Sequence, residues 1–101
     1  MANTNLDQIQ RIQNLVSRRT GIPVESITSS TRKGDIVRAR HISMYLCRWF
    51  TKSNLLDIAK AHGRDYHATV IHASKNIDWE MRHRQNFADT VNQIASEIKN
   101  S

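Results

Sequence analysis

Residues 55–73 read Leu-Leu-Asp-Ile-Ala-Lys-Ala-His-Gly-Arg-Asp-Tyr-His-Ala-Thr-Val-Ile-His-Ala, and the fold turns on how this run divides. Leu55, Ile58 and Ala59 fall at helical spacing, Gly63 interrupts them, and Val70, Ile71 and Ala73 resume the period. The division is two short helices, about 55–62 and 66–76, joined across a glycine able to take the positive φ of a helix stop. Asn54 stands where it can cap the first helix. Ala59 is small, as a close crossing of two helices requires. The second helix buries Val70 and Ala73 and offers Tyr66, His67 and Thr69 in its first turn.

The flanks extend the same pattern. Leu6, Ile9, Ile12, Leu15 and Val16 predict a helix over 5–20, with Thr4 or Asn5 as its cap and Gly21 as its stop. Pro23 fits the first turn of a short helix through Ile27, and Ser29-Ser30-Thr31 reads as loop. Ile36, Ala39, Ile42, Leu46, Trp49 and Phe50 make the apolar face of a helix over 35–51, with Arg38, Arg40, His41 and Arg48 largely off that face. Trp79, Phe87, Val91, Ile94 and Ile98 stripe a last helix from Asp78 to about Lys99. No segment alternates as a strand does, so the class is all-α. Trp49 and Trp79 are read as core aromatics.

The 101 residues support one domain (residues 1–101), and 39% hydrophobic content supplies a small core. The charge is uneven. Arg32 to Arg64 holds eight Lys/Arg and two Asp, net +6, while the remainder holds seven of each sign. A basic window that runs into two helices across a glycine points to an anionic partner, nucleic acid before an acidic membrane surface. The single cysteine, Cys47, forbids an intramolecular disulfide, and no apolar run approaches a bilayer span. The N-terminus has neither the basic nor the apolar region of a signal peptide, so the expected location is the cytoplasm.

A helix-turn-helix that binds duplex DNA needs a bracing helix, a tight turn and a second helix entering the major groove by its N-terminal end. Residues 55–76 supply these parts, and the Lys/Arg window supplies the phosphate affinity that base contacts alone rarely give.

At this point the chain resembles the C-terminal DNA-binding domain of the bacterial replication initiator DnaA. That family carries Gly-Gly-Arg-Asp-His-Thr-Thr-Val-x-His-Ala after a basic loop. Here Val37-Arg38-Ala39-Arg40-His41-Ile42-Ser43-Met44-Tyr45-Leu46 looks like the family's long-helix start, Leu55-Leu56-Asp57-Ile58 like its bracing helix, and His67-Ala68-Thr69-Val70-Ile71-His72-Ala73 like its signature. The likeness runs without a gap over about 32–77, and the helical plan extends it over nearly the whole chain. It implies a compact multi-helix fold of the Trp-repressor-like, DnaA C-terminal type. It implies that Arg32 enters the minor groove, that Arg40, His41 and Arg48 contact phosphates from the long helix, and that the Leu55 and Leu56 amides meet a phosphate. It implies His67 in the major groove with Thr69 beside it, and His72 on a phosphate. Position alone adds Tyr66 to the base readers and Lys33 and Arg64 to the phosphate-binding set.

The chain departs from the family at the tip. In the gapless register Asp65 and Tyr66 stand where the family has Arg-Asp, Ala68 replaces a threonine, and Arg64 takes the place of the second glycine. Sliding Arg64-Asp65 onto Arg-Asp instead makes Tyr66 an insertion. The base-reading set is changed in either register. No Gly-x-x-x-x-Gly-Lys-Ser/Thr is present, so the ATPase module that precedes this domain in the full initiator is missing. The chain is either an excised fragment or a standalone protein, its starting Met favouring the second, from a bacterium or a phage.

The other titratable groups have plainer readings. His62, His67 and His72 are spaced by five, wrong for a helical metal pair, and no Cys-x-x-Cys accompanies them, so no metal is expected. Cys47 lies among core residues, and Asp57, Asp65 and Asp78 sit at helix starts or turns, where capping accounts for them. The expectation is sequence-preferring binding of double-stranded DNA in replication initiation or its regulation, without enzymatic activity or cofactor. A monomer on DNA is expected, with a replication initiator or other replication proteins as further partners. The alternative is a protein-interaction module or a transcriptional repressor using the same two helices. About five neutralised phosphates would give a slope of roughly −4 to −5 in log K against log[salt].

Overall fold

A computed structural model describes residues 5–100. Among them are six helices: α1 (Asn5–Thr20), α2 (Val24–Ile27), α3 (Gly34–Phe50), α4 (Leu55–Ala61), α5 (Ala68–His83) and α6 (Gln85–Lys99). No described helix is long and apolar enough to cross a membrane. The all-α expectation holds, and helix α3 is the spine, packing against all five others.

The core is built from the periodic positions. Ile9, Ile12, Leu15 and Val16 of α1 meet Ala39, Ile42, Met44, Leu46 and Cys47 of α3, Ile58 and Ala59 of α4, Val70, Ala73 and Ile77 of α5, and Val91 and Ile94 of α6. Leu6, expected on the apolar stripe of α1, is exposed. Gly21 stops α1 at φ +75°, and its amide donates to Ser17 O at 2.9 Å. Pro23 is the residue ahead of α2 rather than within its first turn. Asn5 lies inside α1 rather than ahead of it, and Thr4 lies outside the described residues.

The second half differs from the sequence reading in one boundary. Asp78 does not begin the last helix; α5 continues through it to His83. Ile77 extends the buried stripe of Val70, Ala73 and Ser74 by one turn, and that burial outweighs the capping preference of an aspartate. The break falls at Arg84, in extended geometry at φ −138° and ψ 100°. It lets α6 turn back onto α1 and α3. Glu80 braces the corner, accepting from Arg84 Nη1 at 2.8 Å and Arg38 Nη2 at 2.9 Å.

Both tryptophans also depart from expectation. Trp49 is 56% and Trp79 57% exposed. The α3 face turned inward is Ala39, Ser43, Leu46 and Cys47 with Ile42 and Met44, which leaves Trp49 outside it. Trp79 lies two positions beyond Ile77, on the far side of α5 from the buried stripe, and stacks on His83 at 4.2 Å.

Candidate nucleic-acid interface

The turn between α4 and α5 is closed by backbone groups. Gly63 takes φ +77°. Its amide donates to Lys60 O at 3.0 Å and the Arg64 amide to Ala59 O at 2.9 Å, the paired bonds of a Schellman stop. The other two terminal carbonyls of α4 are also used. Gln13 Nε2 donates to Ala61 O at 2.9 Å, and His62 Nδ1 meets Ile58 O at 2.8 Å. The four orphan acceptors that end an α-helix are thus all paired. Among the described residues no non-glycine takes positive φ, so Arg64, which the gapless register sets at the family's second glycine, sits there without strain.

His62 is wholly buried, with Nε2 at 2.7 Å from Ser43 Oγ. Its Nδ1 must carry the proton to serve the Ile58 carbonyl, so Nε2 accepts from the serine hydroxyl. Burial chiefly, aided by the charges of Arg40 and Arg64 and opposed by the Ile58 bond, lowers its pKa to about 4. The neighbouring Cys47 thiol is pushed up to about 12 by burial, against a hydrogen bond with Ser43, and is inert at neutral pH.

The tip of α5 faces outward. Tyr66 is 75% exposed, His67 is exposed and Thr69 half-buried. The Thr69 amide donates to Tyr66 O at 3.1 Å and the Val70 amide to His67 O at 3.0 Å. One turn of such bonds leads into α5, which begins at Ala68, two residues after the start at about 66 expected from the sequence. No side chain caps α5. Helix α4, by contrast, is capped by Asn54 Oδ1, which accepts from the Asp57 amide at 2.8 Å. That leaves the Leu55 and Leu56 amides at the helix start, Leu55 half-buried and Leu56 40% exposed.

The basic residues sort into two groups. Arg32 and Lys33 are exposed in the loop before α3, and Arg48 is half-buried with its guanidinium 4.9 Å from the Trp49 ring. His72 is exposed on α5 and takes a hydrogen bond at Nε2 from Asn76 Nδ2 at 3.2 Å. Arg40, expected on a phosphate, is 3% exposed. Its Nε donates to Ile27 O at 2.7 Å, Nη1 to Thr31 O at 3.1 Å, and Nη2 to Ser29 O at 2.9 Å and Ser26 O at 3.3 Å. It is a buried clamp on the loop, because four inward carbonyls match the planar donor fork of a guanidinium. His41, 6.0 Å from His72 in an edge-on pair, is half-buried. Burial first, then His72, Arg40 and Arg64, lowers its pKa to about 4. It is neutral at pH 7 and has a dipole, not a charge, to offer a phosphate. Arg64 is half-buried and its Nη1 is occupied by carbonyls of Ser29, His62 and Gly63 at 3.1–3.3 Å.

The sequence reading missed the Arg40 clamp, because its outward register on α3 hid it. It also missed Trp49 as a surface partner of Arg48; adjacency in sequence was the only available signal. Among the described residues no three His, Cys, Asp or Glu are grouped to hold a metal.

A glycine-stopped bracing helix, an uncapped polar helix tip and a basic loop beside them define a DNA-binding helix-turn-helix domain. The chain belongs to the bacterial DnaA helix-turn-helix family, which matches residues 9–77. It is 37% identical over 91 residues to the chromosomal replication initiator protein DnaA of Wolbachia sp. subsp. Brugia malayi, covering 90% of this chain and 20% of that protein. It is 37% identical to DnaA of Anaplasma marginale over 93 residues, 92% of this chain and 20% of the relative. With DnaA of Desulfotalea psychrophila it shares 36% over 88 residues, 87% and 18% of the two chains. The crystal structure of a DNA replication initiation factor superposes with a TM-score of 0.83 at 32% identity, over 93% of this chain and 29% of its own. The chain spans about a fifth of the length of these DnaA relatives.

Proposed function

We propose that this domain binds double-stranded DNA as a monomer with sequence preference. In this reading Tyr66, His67 and Thr69 read the major groove, and Arg32 enters the minor groove. Lys33, Arg48 and His72 hold phosphates, as do the Leu55 and Leu56 amides. The observation that carries it is the uncapped, exposed tip of α5 beside the loop bearing Arg32, at the end of the 32–64 window that holds net charge +6. The proposed activity is binding, not catalysis. Its place is the bacterial cytoplasm, at a replication origin or a site that regulates initiation, since the matching relatives are chromosomal replication initiators.

Selection from a random duplex library tests the sequence preference. Binding of the selected duplex across a salt series tests the phosphate contacts. With Arg40 buried, Arg32, Lys33 and Arg48 remain as the main cations, and about three neutralised phosphates give a slope near −3. A flat salt response, or no duplex bound at low salt, would refute the proposal. His67→Ala should weaken the preferred site by about 1–3 kcal/mol and erase preference at one or two base pairs, whereas Arg48→Ala should weaken all duplexes alike. Equal losses on selected and random DNA in both variants would contradict this division into readers and anchors.

A further inference from the structure

We infer that Arg64 is a positioning residue for DNA readout: it ties the Arg32 loop to the Tyr66–His67 turn and so fixes the spacing of the two groove readers. The inference rests on the duplex-binding reading above. Ser29 O receives two guanidiniums, Arg40 Nη2 of α3 at 2.9 Å and Arg64 Nη1 at 3.1 Å. The same Arg64 nitrogen reaches His62 O at 3.3 Å and Gly63 O at 3.2 Å. One group thus bridges carbonyls of the loop and of the turn, 35 positions apart in sequence.

The two segments also touch directly. A Cβ on Gly63 would lie 2.5 Å from Thr28 O, so the turn and the loop meet backbone to backbone. Within the loop, Ser29 Oγ donates to Ser26 O at 2.7 Å and accepts from the Thr31 amide at 3.3 Å. These bonds tie Ser29 to Ser26 and Thr31, the residue before Arg32. Arg32 lies three residues beyond Ser29, and Tyr66 two beyond Arg64. Two like charges converge on one carbonyl, and the Arg64 charge is among the causes that pull the pKa of Arg40 down. Carbonyl dipoles on both segments offset that repulsion.

A phosphate anchor and a positioning staple differ in what their removal does. The test uses the whole chain and its selected duplex, with a second duplex in which the A·T pairs at the Arg32 end are changed to G·C. The variants are Arg64→Ala, Arg64→Lys, Arg32→Ala and the Arg32→Ala/Arg64→Ala double, each checked for folding by its urea midpoint. Arg64→Ala is expected to lose about tenfold of the preference between the two duplexes, as Arg32→Ala does, and the double to lose no more than either. The salt slope of Arg64→Ala is expected to stay as in the unmodified chain, whereas that of Arg32→Ala flattens by about one. Arg64→Lys keeps the charge and the aliphatic stem but not the fork, so it is expected to fail to restore the preference. It also gives the answer if the alanine variant does not fold. Full rescue by lysine, or a salt slope flattened by about one in Arg64→Ala, would overturn the inference and make Arg64 a phosphate contact. Losses that add in the double variant would overturn it as well. Absence of any duplex binding by the unmodified chain would remove the duplex reading itself, an outcome visible before any variant is compared.

Discussion

Arg40 shows how far one residue's role departs from its type. A guanidinium seven residues into a basic helix reads as a surface cation, yet this one is inside, donating to Ile27, Thr31, Ser29 and Ser26 carbonyls. Replacement by methionine keeps much of the volume and takes the guanidinium from the Ile27 and Thr31 carbonyls, while Ser26 O keeps the Ser29 hydroxyl and Ser29 O keeps Arg64. The expected loss is about 3 kcal/mol, since a buried acceptor left unpaired costs about 1–3 kcal/mol and these are partly wetted. Arg40→Lys should recover only a fraction, because an ammonium cannot span four separated carbonyls. Urea midpoints of the three proteins check this, and a methionine variant as stable as the parent would contradict the clamp. Gly63 is the second residue with a singular requirement. Alanine there meets both the positive φ, a cost of about 1–2 kcal/mol, and Thr28 O at 2.5 Å. Gly63→Ala should therefore lose more than Gly21→Ala, where φ is +75° but nothing lies within 4 Å. Equal losses at the two glycines would show that the contact with Thr28 relaxes without cost.

At the scale of the elements, the helix ends carry most of the information. The Asn54 cap is predicted to be worth about 1 kcal/mol, the usual cost of replacing such a cap with alanine. Asn54→Ala should lower the urea midpoint accordingly, and an unchanged midpoint would mean that packing alone holds α4. This cap, the Gly21 and Gly63 stops, the α4 stripe and most of those of α1 and α3, Leu6 and Trp49 excepted, were legible in the sequence, because each depends on residues within a few positions of one another. The α5–α6 boundary was not. Asp78 carries the local mark of a helix start, whereas Arg84 carries no mark of a break. Arg84 is extended because α6 must fold back for Ala88, Val91 and Ile94 to reach the core, a demand set by distant residues. The same limit applies to the interface. The exposed tip at Tyr66 and His67 could be read locally, but the carbonyls that claim Arg40 and Arg64 lie 9–14 and up to 35 positions away.

For the molecule as a whole, stability and charge meet at a buried neutral histidine. His62 joins α3 to the end of α4 through Ser43 and Ile58, and its pKa falls from 6.5 to about 4. The unfolded chain binds a proton there near pH 6.5 while the folded one does not until about pH 4. The unfolded state thus holds more protons between these values, and stability falls as pH falls. The contribution is complete above about pH 6.5, declines through the interval, and is gone below about pH 4. A shift of this size corresponds to about 3 kcal/mol. His41, also lowered to about 4, adds in the same direction. The Arg19–Glu97 pair at 2.9 Å between α1 and α6 acts in a lower window, since the arginine holds the Glu97 carboxyl below its usual range. Urea midpoints at pH 7.5, 5.5 and 4.5 are therefore predicted to decline steadily. His62→Gln removes the titrating group, so its midpoint should be lower at pH 7.5 yet change less toward pH 4.5. Parallel curves for the two proteins would mean that acid sensitivity arises elsewhere. A flat curve for the unmodified chain would mean that His62 is protonated in place without cost, against its burial.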